Sequence, residues 1–245
     1  MIKVGIGGWN FEPWRGVFYP PGLPHARELE HASRHVSSIE INGTFYRTPS
    51  RESFQRWAAE TPDDFVFSLK APRFAVNRRV LAEAGDSIAR FFASGVTELG
   101  AKLGPILWQL AATKKFDPDD LEKFLALLPP EVDGVRMRHA LEVRHASFVT
   151  PEFAALAAAH RVATVFADSD TYPAIADVTG DFVYARLQRT VDDEETGYAA
   201  ADLDRWAAQA RAWEKAAPGG EVFVYMISGA KVRNPAAAMA LLERL

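Results

Sequence analysis

Residues 38–46, Ser38-Ile39-Glu40-Ile41-Asn42-Gly43-Thr44-Phe45-Tyr46, carry the pattern that decides the fold. Apolar and polar residues alternate with a period of two, so Glu40 and Asn42 share one face of a short strand and Ile39 and Ile41 the other. Gly43 ends the strand. A carboxylate near the end of a buried-looking strand requires partners or a chemical role, because an isolated buried charge is expensive.

Seven further segments read as strands. They are Val4–Gly8, Phe65–Lys70, Gly104–Leu110, one within Arg138–His145, Ala163–Asp168, Phe182–Gln188 and Glu221–Met226. Helical patterns lie between most of them: His25–Val36, Ser50 to about Glu60, Asp86 to about Leu103, and Leu203–Ala216. Two starts are well marked, Asp117-Pro118 and Thr150-Pro151, each a capping residue followed by proline at the first helical position. Asn234-Pro235 opens the last helix. Ala71–Gly85 reads as a long loop, and Ser169–Gly180 is too short for a full helix. No Pro- or Ser-rich linker interrupts the alternation, which implies parallel strands joined by crossovers. At 245 residues the expected fold is a single-domain (β/α)8 TIM barrel of eight parallel strands. A doubly wound open sheet would give much the same local pattern.

The bulk composition narrows the functional classes. A net charge of -4 gives no global basic field, so a protein that coats nucleic acid is not expected, although a local basic cleft remains compatible. The absence of cysteine excludes disulfides, thiolate nucleophiles and cysteine-based metal centres. No segment approaches a membrane span, and a cytoplasmic protein is expected. Oligomeric state is not legible, no cofactor is identified, and whether a divalent metal takes part stays open. His31 and His35 share helical spacing but lack the helical Glu of a zinc motif, so no metal site is expected.

In a barrel, side chains alternate between interior and exterior, and sites lie at the C-terminal strand ends. In phase, the last inward positions become Glu40 or Asn42, Lys70, Gln109, Glu142 or Arg144, Asp168, Arg186 or Gln188, and Tyr225. Acids and bases therefore converge at one mouth. Such a set is either a buried ion-pair network that fixes register or a mixed-charge pocket for a small anionic ligand. The functional reading casts Glu40, Lys70, Glu142 and Asp168 as catalytic candidates, with Asn42, Tyr46, Gln109, Arg144, His145 and Arg186 binding substrate. Lys70 can bind an anion as a cation, or act as a base or Schiff-base nucleophile if tuned. His145 is read equally as a site residue or a cap.

Three other features bear on function. Ser228-Gly229-Ala230-Lys231 precedes the last helix, where barrels often bind phosphate, though a plain turn fits as well. Asp192-Asp193-Glu194-Glu195 reads as a solvated lid or loop. Trp9, Phe11, Trp14, Phe45 and Tyr46 are expected to rim the first two strand ends, either packing the loops or stacking on a base or sugar.

The Gly7-Gly8-Trp9, Glu40–Tyr46, Phe65–Lys70, Leu141-Glu142-Val143-Arg144-His145 and Val222–Tyr225 motifs resemble the YecE-like family, domain of unknown function 72. The resemblance covers almost the whole chain. It implies a TIM barrel of unassigned activity, and it places the family pattern on Glu40, Asn42, Thr44, Phe45, Tyr46, Lys70, Gln109, Glu142, Arg144 and His145. The chain departs from that pattern at three places. Asn77-Arg78 stands for a Thr-His pair, Arg186-Leu187-Gln188-Arg189 for Arg-Leu-His-Gly, and Met226-Ile227-Ser228-Gly229 for Phe-Asn-Asn-Asp. The functional expectation is an enzyme, hydrolase or lyase, acting on a small phosphate- or carboxylate-bearing substrate. A non-catalytic ligand- or nucleic-acid-binding barrel is the alternative.

Overall fold

A computed structural model describes residues 1–245. Eight parallel strands close into a barrel: β1 (Ile2–Gly7), β2 (Ser38–Ile41), β3 (Val66–Lys70), β4 (Leu103–Gln109), β5 (His139–Glu142), β6 (Ala163–Asp168), β7 (Phe182–Leu187) and β8 (Glu221–Met226). Each strand pairs with its chain neighbours, and β1 pairs with β8. All eight segments expected from the sequence are strands, and the open-sheet alternative falls away. A small antiparallel pair, Glu131–Val132 with Val135–Arg136, was not anticipated. Its tight connection holds Asp133 and Gly134, both at positive φ.

Two apolar layers follow from the strand alternation. Val4, Ile6, Ile39, Phe67, Leu69, Trp108, Leu141, Leu187, Val222 and Val224 face outward into the larger cluster beneath the helices. Inside the barrel, Val66, Leu107, Ala140, Val165, Phe182, Tyr184, Phe223 and Tyr225 form a smaller one. Gly5 has a steric role between them. A Cβ there would lie 2.1 Å from the Ser38 carbonyl oxygen and 3.1 Å from the Tyr225 ring, so β1 and β2 can approach only because that side chain is missing. Tyr225 then reaches across, its hydroxyl 2.6 Å from both the Ser38 and the Ser68 hydroxyls.

The β3–β4 pairing contains an irregularity, since Phe67 pairs with Leu103 but Leu69 with Ile106. The extra residue places Gly104 and Pro105 at a bulge, the position in a barrel strand where proline's missing N–H is tolerated.

The connections match the sequence in outline and differ in length. His25–Val36 is a 3-10 turn plus a short helix, Glu28–Ala32. The helix expected from Asp86 stops at Ala93, where Gly95 turns left-handed with φ 98, and a 3-10 segment, Val96–Lys102, completes the path. The loop after β3 contains two single turns, Arg73–Val76 and Leu81–Glu83. Asp117 and Thr150 cap their helices as expected, accepting from the amides of Asp120 and Phe153. No helix is long and apolar enough to cross a membrane.

Candidate functional site

Four strands bring charges to the mouth. Arg186 on β7 is its centre, 2 % exposed and surrounded by acceptors. Its Nε and Nη2 donate to the two carboxylate oxygens of Glu40 at 3.0 Å each, while Nη1 donates to Glu142 Oε2 at 2.6 Å. One guanidinium thus bridges β2 and β5 across the barrel. Tyr184, two residues earlier on β7, donates its hydroxyl to Glu40 at 2.8 Å. Glu142 also accepts from Gln109 Nε2 at 2.9 Å and from Arg144 Nε at 2.7 Å. Both glutamates are fully buried with their oxygens occupied.

These contacts set the electrostatics. Burial would raise the Glu142 carboxyl, but the guanidiniums of Arg186 and Arg144 outweigh it and hold the group down at about 2. Arg186 is pushed the other way: burial would lower it, and Glu142 and Glu40 more than reverse that. Glu142 is therefore a permanent anion at neutral pH and no proton donor.

Lys70 differs from its neighbours. It ends β3, and its backbone is pinned by the Thr44 hydroxyl, which donates to the Lys70 carbonyl at 2.6 Å. Its Nζ lies 4.5 Å from the Phe45 ring centroid and makes no hydrogen bond or ion pair. Burial lowers the amine, the Arg186 charge lowers it further, and Glu40 and Glu142 only partly compensate, leaving it at about 8. Lys70 therefore gives up its proton more readily than an exposed lysine. Arg144 completes the set: its guanidinium lies 4.3 Å from the Tyr172 ring, and its side chain is 21 % exposed, open to the mouth on one side.

The structure brings together Glu40, Lys70, Gln109, Glu142, Arg144 and Arg186. It does not bring Asp168 to them. Asp168 registers with Leu187, whereas Ala167 registers with Arg186, so the inward residues of β6 are Ala163, Val165 and Ala167. The expected phase of β6 is corrected accordingly. Asp168 ion-pairs with Arg189 at 2.8 Å on the rim, beside Tyr198. Burial raises its carboxyl, against Arg189. His145 serves as a cap, its Nδ1 accepting the Ser147 amide at 3.1 Å. Asn42 and Tyr46 line a neighbouring recess. Trp14, expected on the rim, is fully buried and donates to the Lys231 carbonyl at 2.9 Å. The Ser228–Lys231 loop is pinned to Thr190, whose carbonyl accepts the Ala230 amide, and Lys231 turns to the Phe11 ring.

Two participants were not singled out from the sequence. Tyr184 was legible in principle, since it shares the Arg186 face of β7. Tyr172, in the irregular 169–180 segment, gave no periodic signal. No group of three or more His, Asp or Glu side chains is arranged to hold a metal ion.

A closed eight-stranded parallel barrel with a polar, charged mouth defines the class: a TIM-barrel protein. The chain belongs to the family described as "Protein of unknown function DUF72", matched over residues 3–245. The YecE protein of Escherichia coli K12, UPF0759, is 32% identical over 143 residues, 57% of this chain and 49% of that protein. The match thus spans about half the length of that curated relative. The crystal structure of a DUF72 protein from Thermotoga maritima superimposes with a TM-score of 0.77 at 24% identity, covering 99% of this chain and 97% of that one. A protein titled xylose isomerase-like TIM barrel/4-hydroxyphenylpyruvate dioxygenase fusion shares the fold alone, with TM-score 0.54, 16% identity and coverage of 98% and 42%.

Proposed function

We propose that the chain is an enzyme acting on a small phosphate- or carboxylate-bearing substrate at this mouth, with Lys70 as the reacting group and Arg144 as the anion contact. The observation that carries the reading is the unpartnered Lys70 amine beside carboxylates whose oxygens are already occupied. Between the two classes left open by the sequence, the arrangement favours a lyase. Hydrolysis by paired carboxylates needs one of them protonated at working pH, and Glu142, held at about 2, is not. A lysine held at about 8 suits proton abstraction beside a carbonyl, or attack on it. Glu40, Glu142 and Arg186 then hold the local field and Gln109 fixes Glu142. Asp168 is left outside the reacting set.

Thermal-shift screening against phosphorylated and carboxylated metabolites tests the reading. Ligands that stabilise the wild type are expected to lose their effect on Lys70→Met and on Arg144→Met. Borohydride treatment with a carbonyl-bearing ligand separates the two lysine roles, since only an imine is trapped on Lys70. If ligands shift both variants as they shift wild type, the pocket is not this one. Binding without turnover by any ligand would favour the non-catalytic barrel.

A further inference from the structure

The half of the rim over β1–β4 has a chemistry that the central site does not use. The chain as a whole is acidic, with net charge -4. Two recesses of ≈ 730 and ≈ 740 Å³ nevertheless lie on this half, and their charged lining is almost wholly cationic. The first, at the ends of β1 and β2, is lined by Arg47, Arg56 and Lys231 with Trp9, Tyr46 and Trp57, and contains no acid. Its floor includes Gly7 and Gly8, so bare backbone is open to a ligand. The second, between the loops after β3 and β4, is lined by Arg78, Arg79, Lys114 and Lys115, with Asp117 as its single acid.

Much of that charge is uncompensated. Asp117 caps its own helix, and Lys114 is neutralised by Asp120 at 2.6 Å. Arg56 faces Glu60 at 3.8 Å, and Arg78 is tied to the Phe74 carbonyl and the Ser87 hydroxyl. Arg47, Arg79 and Lys115 are exposed and enter no ion pair. The loops after β2 and β3 present Tyr46, at the first recess, and Phe74 at 66% and 61% exposure, with Arg73 lying 5.0 Å from the Phe74 ring centroid.

We propose that this half of the rim binds a single-stranded polynucleotide, with Tyr46 and Phe74 stacking on bases and Arg47, Arg79 and Lys115 contacting phosphates. Sequence-tolerant single-strand binding requires this combination of a cationic track and open aromatic faces. A duplex hides its bases from the rings. An anionic bilayer would meet the same charges, but concave recesses fit a strand better than a plane. The proposal stands independently of the chemistry assigned to Lys70.

Fluorescence anisotropy of the full chain with a labelled 20-nucleotide oligo-dT, the matching duplex, heparin and vesicles containing phosphatidylserine provides the test. Single-strand binding is expected to exceed duplex binding. It should weaken about 20-fold between 50 and 200 mM salt if about three phosphates are neutralised. The double variant Tyr46→Ala/Phe74→Ala should lose at least about 30-fold in oligo-dT affinity while heparin binding holds. Arg79→Ala/Lys115→Ala should weaken both. No binding at 50 mM salt, equal affinity for duplex, an unaltered aromatic variant, or preference for vesicles would each overturn the proposal. The substituted aromatics and cations are exposed, and an unchanged unfolding temperature confirms that each variant is folded.

Discussion

Arg186 is the residue on which the mouth depends. Three of its nitrogens are hydrogen-bonded to two buried carboxylates, so removing it leaves Glu40 with no cation and Glu142 with Arg144 alone. Arg186→Met is expected to destabilise the fold by about 3–5 kcal/mol, measured by urea unfolding, because breaking one side of a buried ion pair leaves the Glu40 carboxylate uncompensated. Lys70→Met should behave in the opposite way, leaving stability unchanged or raised, since Lys70 has no partner to strand and its charge is disfavoured by burial and by Arg186. That contrast separates a group held for structure from a group left available. The convergence of Glu40, Lys70, Gln109, Glu142, Arg144 and Arg186 was legible because a period of two leaves each strand one inward choice near its end. Asp168 was misplaced because both parities of Ala163–Asp168 suit burial. Val165 and Ala167, not Asp168, face inward on β6, in register with the large Tyr184 and Arg186 of β7.

Among the elements, the β1–β2 contact is the one with least tolerance. Gly5→Ala would place a methyl 2.1 Å from the Ser38 oxygen. It is expected to destabilise by more than about 4 kcal/mol or to prevent folding, read by thermal unfolding and soluble yield. Strand existence was visible throughout, whereas connections were less so. The helix starts at Pro118 and Pro151 were announced by their caps, while the early end of the Gly85–Ala93 helix depends on Gly95 and the packing around it. The β4 bulge was not legible either. Gly104-Pro105 reads as a strand start, and only the register with β3 reveals the extra residue.

At the scale of the whole molecule, acid sensitivity should come from two buried groups of different kinds. His139 is held neutral, its Nδ1 accepting from Trp108 and its Nε2 donating to the Pro129 carbonyl, and burial lowers it to about 4 from 6.5. Between those values the unfolded chain binds the extra proton. This contribution is thus complete above pH 6.5 and is lost as pH falls towards 4. Glu142, lowered from 4.5 to about 2, adds stability that is complete above 4.5 and lost as pH falls towards 2. Urea midpoints are therefore expected to fall in two stages on acidification, the first absent in His139→Gln and the second in Glu142→Gln. The barrel itself was legible from the strand–helix alternation and the length. The cationic half of the rim was not, because it is assembled from loops after four different strands and their charges disappear into an acidic total.

The most direct test of the central claim is the titration of one amine. Competitive labelling of the folded protein with an amine-reactive reagent across pH 6–11, read by mass spectrometry, reports the reactivity of Lys70 against the surface lysines. Half-maximal reactivity of Lys70 at about pH 8 is predicted, with protection by the anionic ligands that stabilise the protein. A Lys70 that titrates with the surface lysines near the ordinary value of 10.5, and that those ligands leave unprotected, would contradict the account.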